Sequence, residues 1–136
     1  MDPGLDTEAL QQKIRNEYLK DSMVTVVLIG TDTWKRKHVD WEIGSSIRET
    51  ENGPRSGLLG IILPTYYRDN ITKYNRYTIP PRLYYNIKCG FASIYDWDTD
   101  PAIIQKWIHD AFERRNKIDP DNSYPSFVDN QFGDEW

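Results

Sequence analysis

The sequence is poor in residues that cross-link a chain or bind metals, with one cysteine and two histidines. Cys89 has no partner for an internal disulfide, which is typical of proteins of the reducing cytosol, and no group of Cys and His has the spacing of a metal site. No apolar run approaches the ~20 residues that span a bilayer, and the polar, acidic N-terminus is unlike a signal peptide. We therefore predict a cytoplasmic protein without a bound metal or a membrane contact.

An excess of positive charge is also lacking. Seventeen Lys and Arg residues stand against 21 Asp and Glu residues, giving a net charge of −4, whereas a nucleic-acid-binding module normally carries a basic surface. The only dense basic run is Lys35-Arg36-Lys37, which can attract an anionic ligand locally. The 136 residues have the length of one domain with a buried core. We predict no nucleic-acid partner.

A strand, a tight turn and a helix are predicted in succession over residues 23–47. The apolar run 23–29 lacks alternation, which is typical of a strand buried on both faces of a parallel sheet. Gly30 ends the run, and ligands of open α/β sheets bind at the carboxyl ends of the strands. The helix is predicted to begin at polar residues able to cap it, namely Thr31, Asp32 and Thr33.

This helix carries the best candidate for a catalytic group. Glu42 lies about 60° round from Val39 of the apolar stripe, at the border of the buried face. His38, four residues earlier, lies directly above Glu42 and is predicted to pair with it. Spacing alone favours a structural or solvated charge at Glu42, because most surface charges have no catalytic role.

The rest of the chain predicts further alternation of helices and strands, and hence a parallel sheet with right-handed crossovers. Residues 65–88 fit neither period; we favour a packed, aromatic-rich excursion with a short helical turn near residues 82–85, with a lid or a partner surface as the alternative. We predict an α/β domain over residues 1–117 and an extended or partly disordered tail over 118–136. The remaining predicted elements are a helix from Asp6 or Thr7 to about Ser22, strands at 57–63 and 90–97, and a helix from Asp100-Pro101 to about Arg115.

The joint pattern resembles the TIR-like domains of Thoeris anti-phage defence systems. The resemblance covers most of residues 5–125 and implies a flavodoxin-like fold, a parallel sheet with flanking helices. That family opens with a strand, a helix and a strand that residues 1–22 do not supply. We therefore expect either an N-terminally truncated form or a partner that provides the missing edge, and NAD cleavage if the missing part is supplied. The segments that carry the resemblance are VTVVLIG-TDTWKRKHVDWEIGSSI (24–47), SGLLGIILP (56–64), YTIPPRLYYNI (77–87), IYDW (94–97) and WIHDAFERRN (107–116).

The resemblance implies an activity and a catalytic residue. TIR relatives include enzymes that cleave NAD with an essential Glu, and the matching position here is Glu42; NAD is then a substrate, and no cofactor is expected. His38 stands where many bacterial members carry Trp. The defence members turn NAD into a cyclic ADP-ribose-type signal that activates a separate effector protein. The residues predicted to bind substrate are Thr31, Asp32, Trp34, His38 and Trp41.

Cleavage of the nicotinamide–ribose bond needs little catalytic machinery. The leaving group is already a cationic pyridinium, so one carboxylate that stabilises an oxocarbenium-like transition state is sufficient. Two other interpretations stay open. One is a non-catalytic TIR-like or receiver-like interaction module that self-associates through an unpaired sheet edge. The other is an enzyme similar to nucleoside deoxyribosyltransferases, which would act on deoxynucleosides instead of NAD.

Overall fold

The computed structural model describes residues 23–48, 55–68 and 73–136, and it contains a three-stranded parallel sheet with flanking helices. This architecture is consistent with the predicted flavodoxin-like α/β fold. The helix predicted between Asp6 and Ser22 lies outside the described residues. The elements are β1 (Val24–Ile29), α1 (Lys37–Ser46), β2 (Gly57–Ile62), α2 (Pro81–Lys88), β3 (Ala92–Asp96) and α3 (Pro101–Arg114).

The strand order β1-β2-β3 makes β2 the centre of the described sheet. Val24 pairs with Gly57 at one end of the sheet, and Ile62 pairs with Asp96 at the other. Every residue of β2 is buried, because helices cover both of its faces, and this explains the unbroken apolar run in its sequence. β3 lies at an edge, as its partial alternation predicts.

Two apolar layers hold the helices on opposite faces of the sheet. On one face, α1 and α2 pack on the strands through residues such as Ile43 and Leu83. On the other face, α3 packs through Ile104 and Ile108. None of the helices in the described part of the chain has the length and apolarity needed to cross a bilayer.

The chain between β1 and α1 differs from the prediction. A 3₁₀ turn over Thr33–Lys35 comes first, and α1 begins only at Lys37, after an extended Arg36 with φ −83° and ψ 120°. The prediction that polar side chains at 31–33 cap the helix is wrong, since α1 has no side-chain cap. The Thr33 hydroxyl instead accepts a hydrogen bond from the Gly30 amide at 2.8 Å, which closes the turn.

The segment after β2 is more regular than predicted. α2 extends over eight residues. It begins at Pro81, because a proline in the first turn of a helix costs no hydrogen bond. A 3₁₀ turn over Arg76–Thr78 precedes it, and the Asn75 side chain accepts a hydrogen bond from the Tyr77 amide at 3.0 Å. The helical turn predicted near residues 82–85 is therefore part of a longer helix.

Residues 118–136, the C-terminal segment, contain no helix or strand and run back over α1 and α2. The Asn122 side chain donates to the Gly44 carbonyl at 3.1 Å, and the Phe127 amide donates to Asp40 at 2.9 Å. These hydrogen bonds hold the middle of the segment against α1. The division of the chain into residues 1–117 and 118–136 stays a prediction.

Gly57→Ala is expected to lower the free energy of unfolding by about 1–3 kcal/mol, the usual cost of overpacking. A Cβ atom at this position would lie 2.7 Å from the carbonyl carbon of Ala111 in α3, where backbone and not a flexible side chain would have to move. Gly30→Ala is the control, because its Cβ would meet nothing closer than 3.7 Å. Urea titration of both variants checks this, and equal unfolding midpoints would contradict it.

Candidate functional site

A cavity of about 490 Å³ opens at the carboxyl ends of β1 and β2, within the usual size range of small-molecule sites. We call it the strand-end cavity. Its walls come from the turn after β1, from the segment after β2 and from the C-terminal segment. The lining residues are Thr31, Asp32, Trp34, Lys35, Tyr66, Tyr67, Arg68, Lys73, Tyr74, Asn75, Thr78, Asp134 and Glu135.

Thr31 joins two walls of this cavity. Its hydroxyl accepts a hydrogen bond from the Tyr67 amide at 2.9 Å and donates to the Thr65 carbonyl at 3.3 Å. The loops that follow β1 and β2 are therefore tied to each other at their tips. Because its hydroxyl already accepts one hydrogen bond and donates another, Thr31 acts first as a structural residue of the cavity rim.

The turn after β1 supplies one charged wall and the floor. The Lys35 ammonium lies 3.0 Å from an Asp32 carboxylate oxygen and 5.7 Å above the Trp34 ring. Trp34 is only 2% exposed, so its ring supports the wall and offers a ligand little contact surface. Asp32 and Lys35 are the charged groups of this turn that line the cavity.

Tyrosines and their hydrogen bonds form the opposite wall. The Tyr66 hydroxyl shares a hydrogen bond with the Thr78 hydroxyl and accepts another from the Asn75 amide at 3.2 Å. Burial, with smaller contributions from neighbouring tyrosines, raises the pKa of Tyr74 above its usual value. Tyr74 therefore stays a neutral hydroxyl at physiological pH, able to donate a hydrogen bond to a ligand.

Glu42 lies in a different place, an open hollow between α1 and β1 that we call the α1 hollow. It is exposed, not at the border of the buried face as predicted, and it makes no hydrogen bond or ion pair with another described residue. Since no cation in the described part of the chain pairs with it, its carboxylate is available to a ligand. The hollow is lined by Thr25, His38, Trp41, Glu42, Ser45 and Ser46.

The predicted pair between His38 and Glu42 is not formed. The His38 ring instead packs edge-on against Trp41, with ring centroids 5.2 Å apart and an interplanar angle of 85°. Trp41 is 41% exposed, and its indole N–H donates to the Phe127 carbonyl at 2.8 Å. The indole is thus held in place by the C-terminal segment while part of its face remains open to solvent.

The predicted site residues fall into two groups. Those of the turn (Thr31, Asp32 and Trp34) line the strand-end cavity, whereas those of the helix (His38, Trp41 and Glu42) line the α1 hollow. The reason is the extended Arg36, after which α1 runs back along β1, so that Glu42 lies beside Thr25 near the start of the strand. Their roles in catalysis and binding stay predictions.

A buried ion pair, which the sequence did not predict, lies on the side of α1 opposite Glu42. Asp40 and Arg82 are each 2% exposed, and the guanidinium Nε donates to the carboxylate at 3.0 Å. Arg82 also donates to the Asn122 side chain at 2.6 Å, and Asp40 accepts the Phe127 amide. Asp40 and Glu42 point about 200° apart on the helix. The Asp40–Arg82 ion pair therefore fixes α1 on the side opposite Glu42. Periodicity carries no signal for such a pairing.

Residues 2–67 match the sequence model of the family described as Thoeris protein ThsB, TIR-like domain. The match spans just under half of the chain and includes β1, the turn, α1 with Glu42, and β2. It confirms, over that stretch, the resemblance drawn from the sequence. No curated protein and no solved structure matches the chain.

Proposed function

We propose, from the match of residues 2–67 to the Thoeris TIR-like family, that this protein is a signalling domain of cytoplasmic anti-phage defence. In this proposal it cleaves NAD to nicotinamide and a cyclic ADP-ribose-type signal, which activates a separate effector protein. The observation that carries the proposal is that the matched stretch contains Glu42 as an exposed carboxylate on α1, beside an open hollow.

The chemistry of the α1 hollow suits this reaction. As the bond between the ribose carbon and the pyridinium nitrogen breaks, nicotinamide leaves as a neutral molecule with the bonding electron pair. Positive charge develops on the ribose carbon, and the Glu42 carboxylate stabilises it without a general acid. A nucleophilic atom of the same ADP-ribose then bonds to this carbon with release of a proton, which closes the cyclic product. The half-exposed Trp41 ring offers a flat surface for the nicotinamide or the adenine. His38 fixes the Trp41 ring from its edge, which makes it a positioning residue.

The strand-end cavity supplies the second half of the proposed binding site. Lys35 lines the cavity and His38 lines the α1 hollow; three residues of extended chain span at most ~11 Å. The two surfaces therefore adjoin along the turn, and in this proposal one dinucleotide spans them. The Lys35 and Lys73 ammonium groups then attract its phosphates, and Asp32 accepts a ribose hydroxyl.

Incubation of the full chain with NAD is expected to release nicotinamide, measured by mass spectrometry together with the ADP-ribose product and its cyclic forms. Heat-denatured protein is the control for non-enzymatic hydrolysis. Deoxynucleosides assayed in parallel separate this activity from deoxyribosyl transfer. Absence of nicotinamide release at micromolar protein over hours would contradict the proposal.

One observation favours a second candidate function, a self-associating interaction module. Among the described residues, β1 pairs only with β2 and has no strand on its other side, and unpaired edges recruit other chains. In this case the protein forms homo-oligomers through β1 and turns over no NAD. Light scattering over a range of concentrations, run beside the NAD assay, distinguishes the two functions.

A further inference from the structure

Residues 131–136, the C-terminal strap, cross the mouth of the strand-end cavity. At one end of the strap, the Gln131 amide donates to the Lys35 carbonyl at 2.7 Å. At the other end, the Trp136 amide donates to the Tyr77 carbonyl at 3.0 Å. Lys35 belongs to the wall that follows β1, and Tyr77 belongs to the 3₁₀ turn that forms the opposite wall. The strap thus joins two walls that are far apart in sequence.

Trp136 is the main anchor of the strap. Its indole N–H donates to the Ile79 carbonyl at 2.6 Å, and the Arg76 guanidinium lies 5.7 Å from the ring centroid. Each contact of this kind is weak by itself, so the strap is held but can open. The aromatic rings within 5.2–6.1 Å of the Trp136 ring are Tyr77, Tyr84, Tyr85 and Tyr124.

Two carboxylates lie between these anchor points. Asp134 and Glu135 line the cavity and are exposed, and neither forms an ion pair with another described residue. The same cavity is lined by the cationic side chains of Lys35, Arg68 and Lys73. The two acids therefore lower the positive potential inside the cavity without being fixed to any one cation.

We infer that the strap is autoinhibitory, because it keeps two carboxylates at the wall of a cavity that a phosphate-bearing ligand would enter. The charges of Asp134 and Glu135 repel the ligand's phosphates, and binding opens the strap at Trp136. The inference rests on the proposed use of this cavity for a nucleotide. The observed affinity for an anion is then the intrinsic affinity reduced by the fraction of molecules in which the strap is closed.

The test is the affinity of the full chain for inorganic pyrophosphate, measured by calorimetry at low salt. Asp134→Asn combined with Glu135→Gln is expected to tighten binding by roughly three- to tenfold, the size of one or two weakly screened charge interactions. The matched control is Asp129→Asn, which removes one exposed negative charge just before the strap and outside the cavity lining, and it is expected to change the affinity by less than about twofold. At high salt, which screens charge interactions, the difference in pyrophosphate affinity between the double variant and the control is expected to become smaller.

A second measurement follows the opening itself. Trp136→Ala removes the anchor and is expected to tighten pyrophosphate binding as the charge variant does, with Phe132→Ala, an exposed residue of the same strap, as the control. In the wild type, pyrophosphate is expected to speed hydrogen exchange at the amides of Gln131 and Trp136. Equal affinities in all variants, no pyrophosphate binding by any of them, or an unchanged exchange rate on binding would each overturn the inference. Nicotinamide release that is unaffected by the strap variants would keep the proposed function and reject only the strap.

Discussion

Glu42→Gln is expected to lower the rate of nicotinamide release from NAD by about a hundredfold or more, the usual cost of removing one preorganised electrostatic contact to a transition state. The amide keeps the shape of the side chain but loses the negative charge that stabilises the ribose cation. Because Glu42 is exposed and makes no hydrogen bond or ion pair with another described residue, we expect no measurable change in the free energy of unfolding. The loss should fall on kcat, with KM nearly unchanged.

The matched control for this variant is Glu113→Gln. Glu113 lies on α3, its side chain is 51% exposed, and it pairs with His109 at the surface. The same chemical change there is expected to leave nicotinamide release unchanged. If Glu42→Gln retains more than about half of the wild-type rate, Glu42 is not the carboxylate that stabilises the transition state.

Arg82→Met is expected to lower the free energy of unfolding by about 3–5 kcal/mol, because it leaves the Asp40 carboxylate buried without its cation. Arg82 also donates to Asn122 and lies 3.5 Å from the Ser126 hydroxyl, so the variant also loses bonds to the C-terminal segment. Urea titration followed by circular dichroism measures the change. Arg48→Met, an exposed arginine just after α1, is the control and is expected to change stability by less than about 0.5 kcal/mol.

A double variant separates the cost of the unpaired charge from the cost of lost packing. Asp40→Leu combined with Arg82→Met removes both charges, and replacement of a buried pair by apolar groups is often close to neutral. We expect it to be more stable than Arg82→Met alone, although the Phe127 amide loses its acceptor. If the double variant lost as much free energy of unfolding as the two single variants together, the two residues would not be energetically coupled.

The strands and the last helix could be predicted from the sequence because their signals are local. The apolar runs of β1 and β2 are bounded by Gly30 and Pro64, and such boundaries do not depend on the rest of the chain. Asp100 caps α3 by accepting the Ala102 amide at 3.0 Å, as Asp followed by Pro predicts. In each case the determining residues lie within a few positions of one another.

The parts that could not be predicted depend on residues distant in sequence. The course of residues 118–136 is set by Asp40, Gly44 and Arg82, and no periodicity within the segment itself carries that information. The extended backbone of Arg36 could not be predicted either. Arg36 and its neighbours Lys35 and Lys37 have similar helix propensities, so propensity does not indicate where the helix begins. The start of α1 is set by the packing of the turn before it.

Only part of the candidate site could be predicted, because some of its residues are distant from one another in the sequence. The position of the turn at the carboxyl end of β1 follows from strand order, and Thr31 and Asp32 do line a cavity there. The cavity is completed by Asp134 and Glu135, about a hundred positions later in the sequence. Only tertiary structure brings these carboxylates to the turn, and their residue types alone do not distinguish them from solvated charges.

The bond between the Phe127 amide and Asp40, which joins residues 87 positions apart, has a kinetic consequence. Contacts between such distant residues are slow to form because a large loop must close first. We expect the parallel strands, which pair over about 33 positions of sequence, to assemble before residues 118–136 dock onto α1 and α2 in a late folding phase. During synthesis these residues also leave the ribosome after the rest of the domain. A nascent chain therefore passes through a state in which nothing from residues 118–136 contacts α1 and the Asp40–Arg82 pair is still open to water.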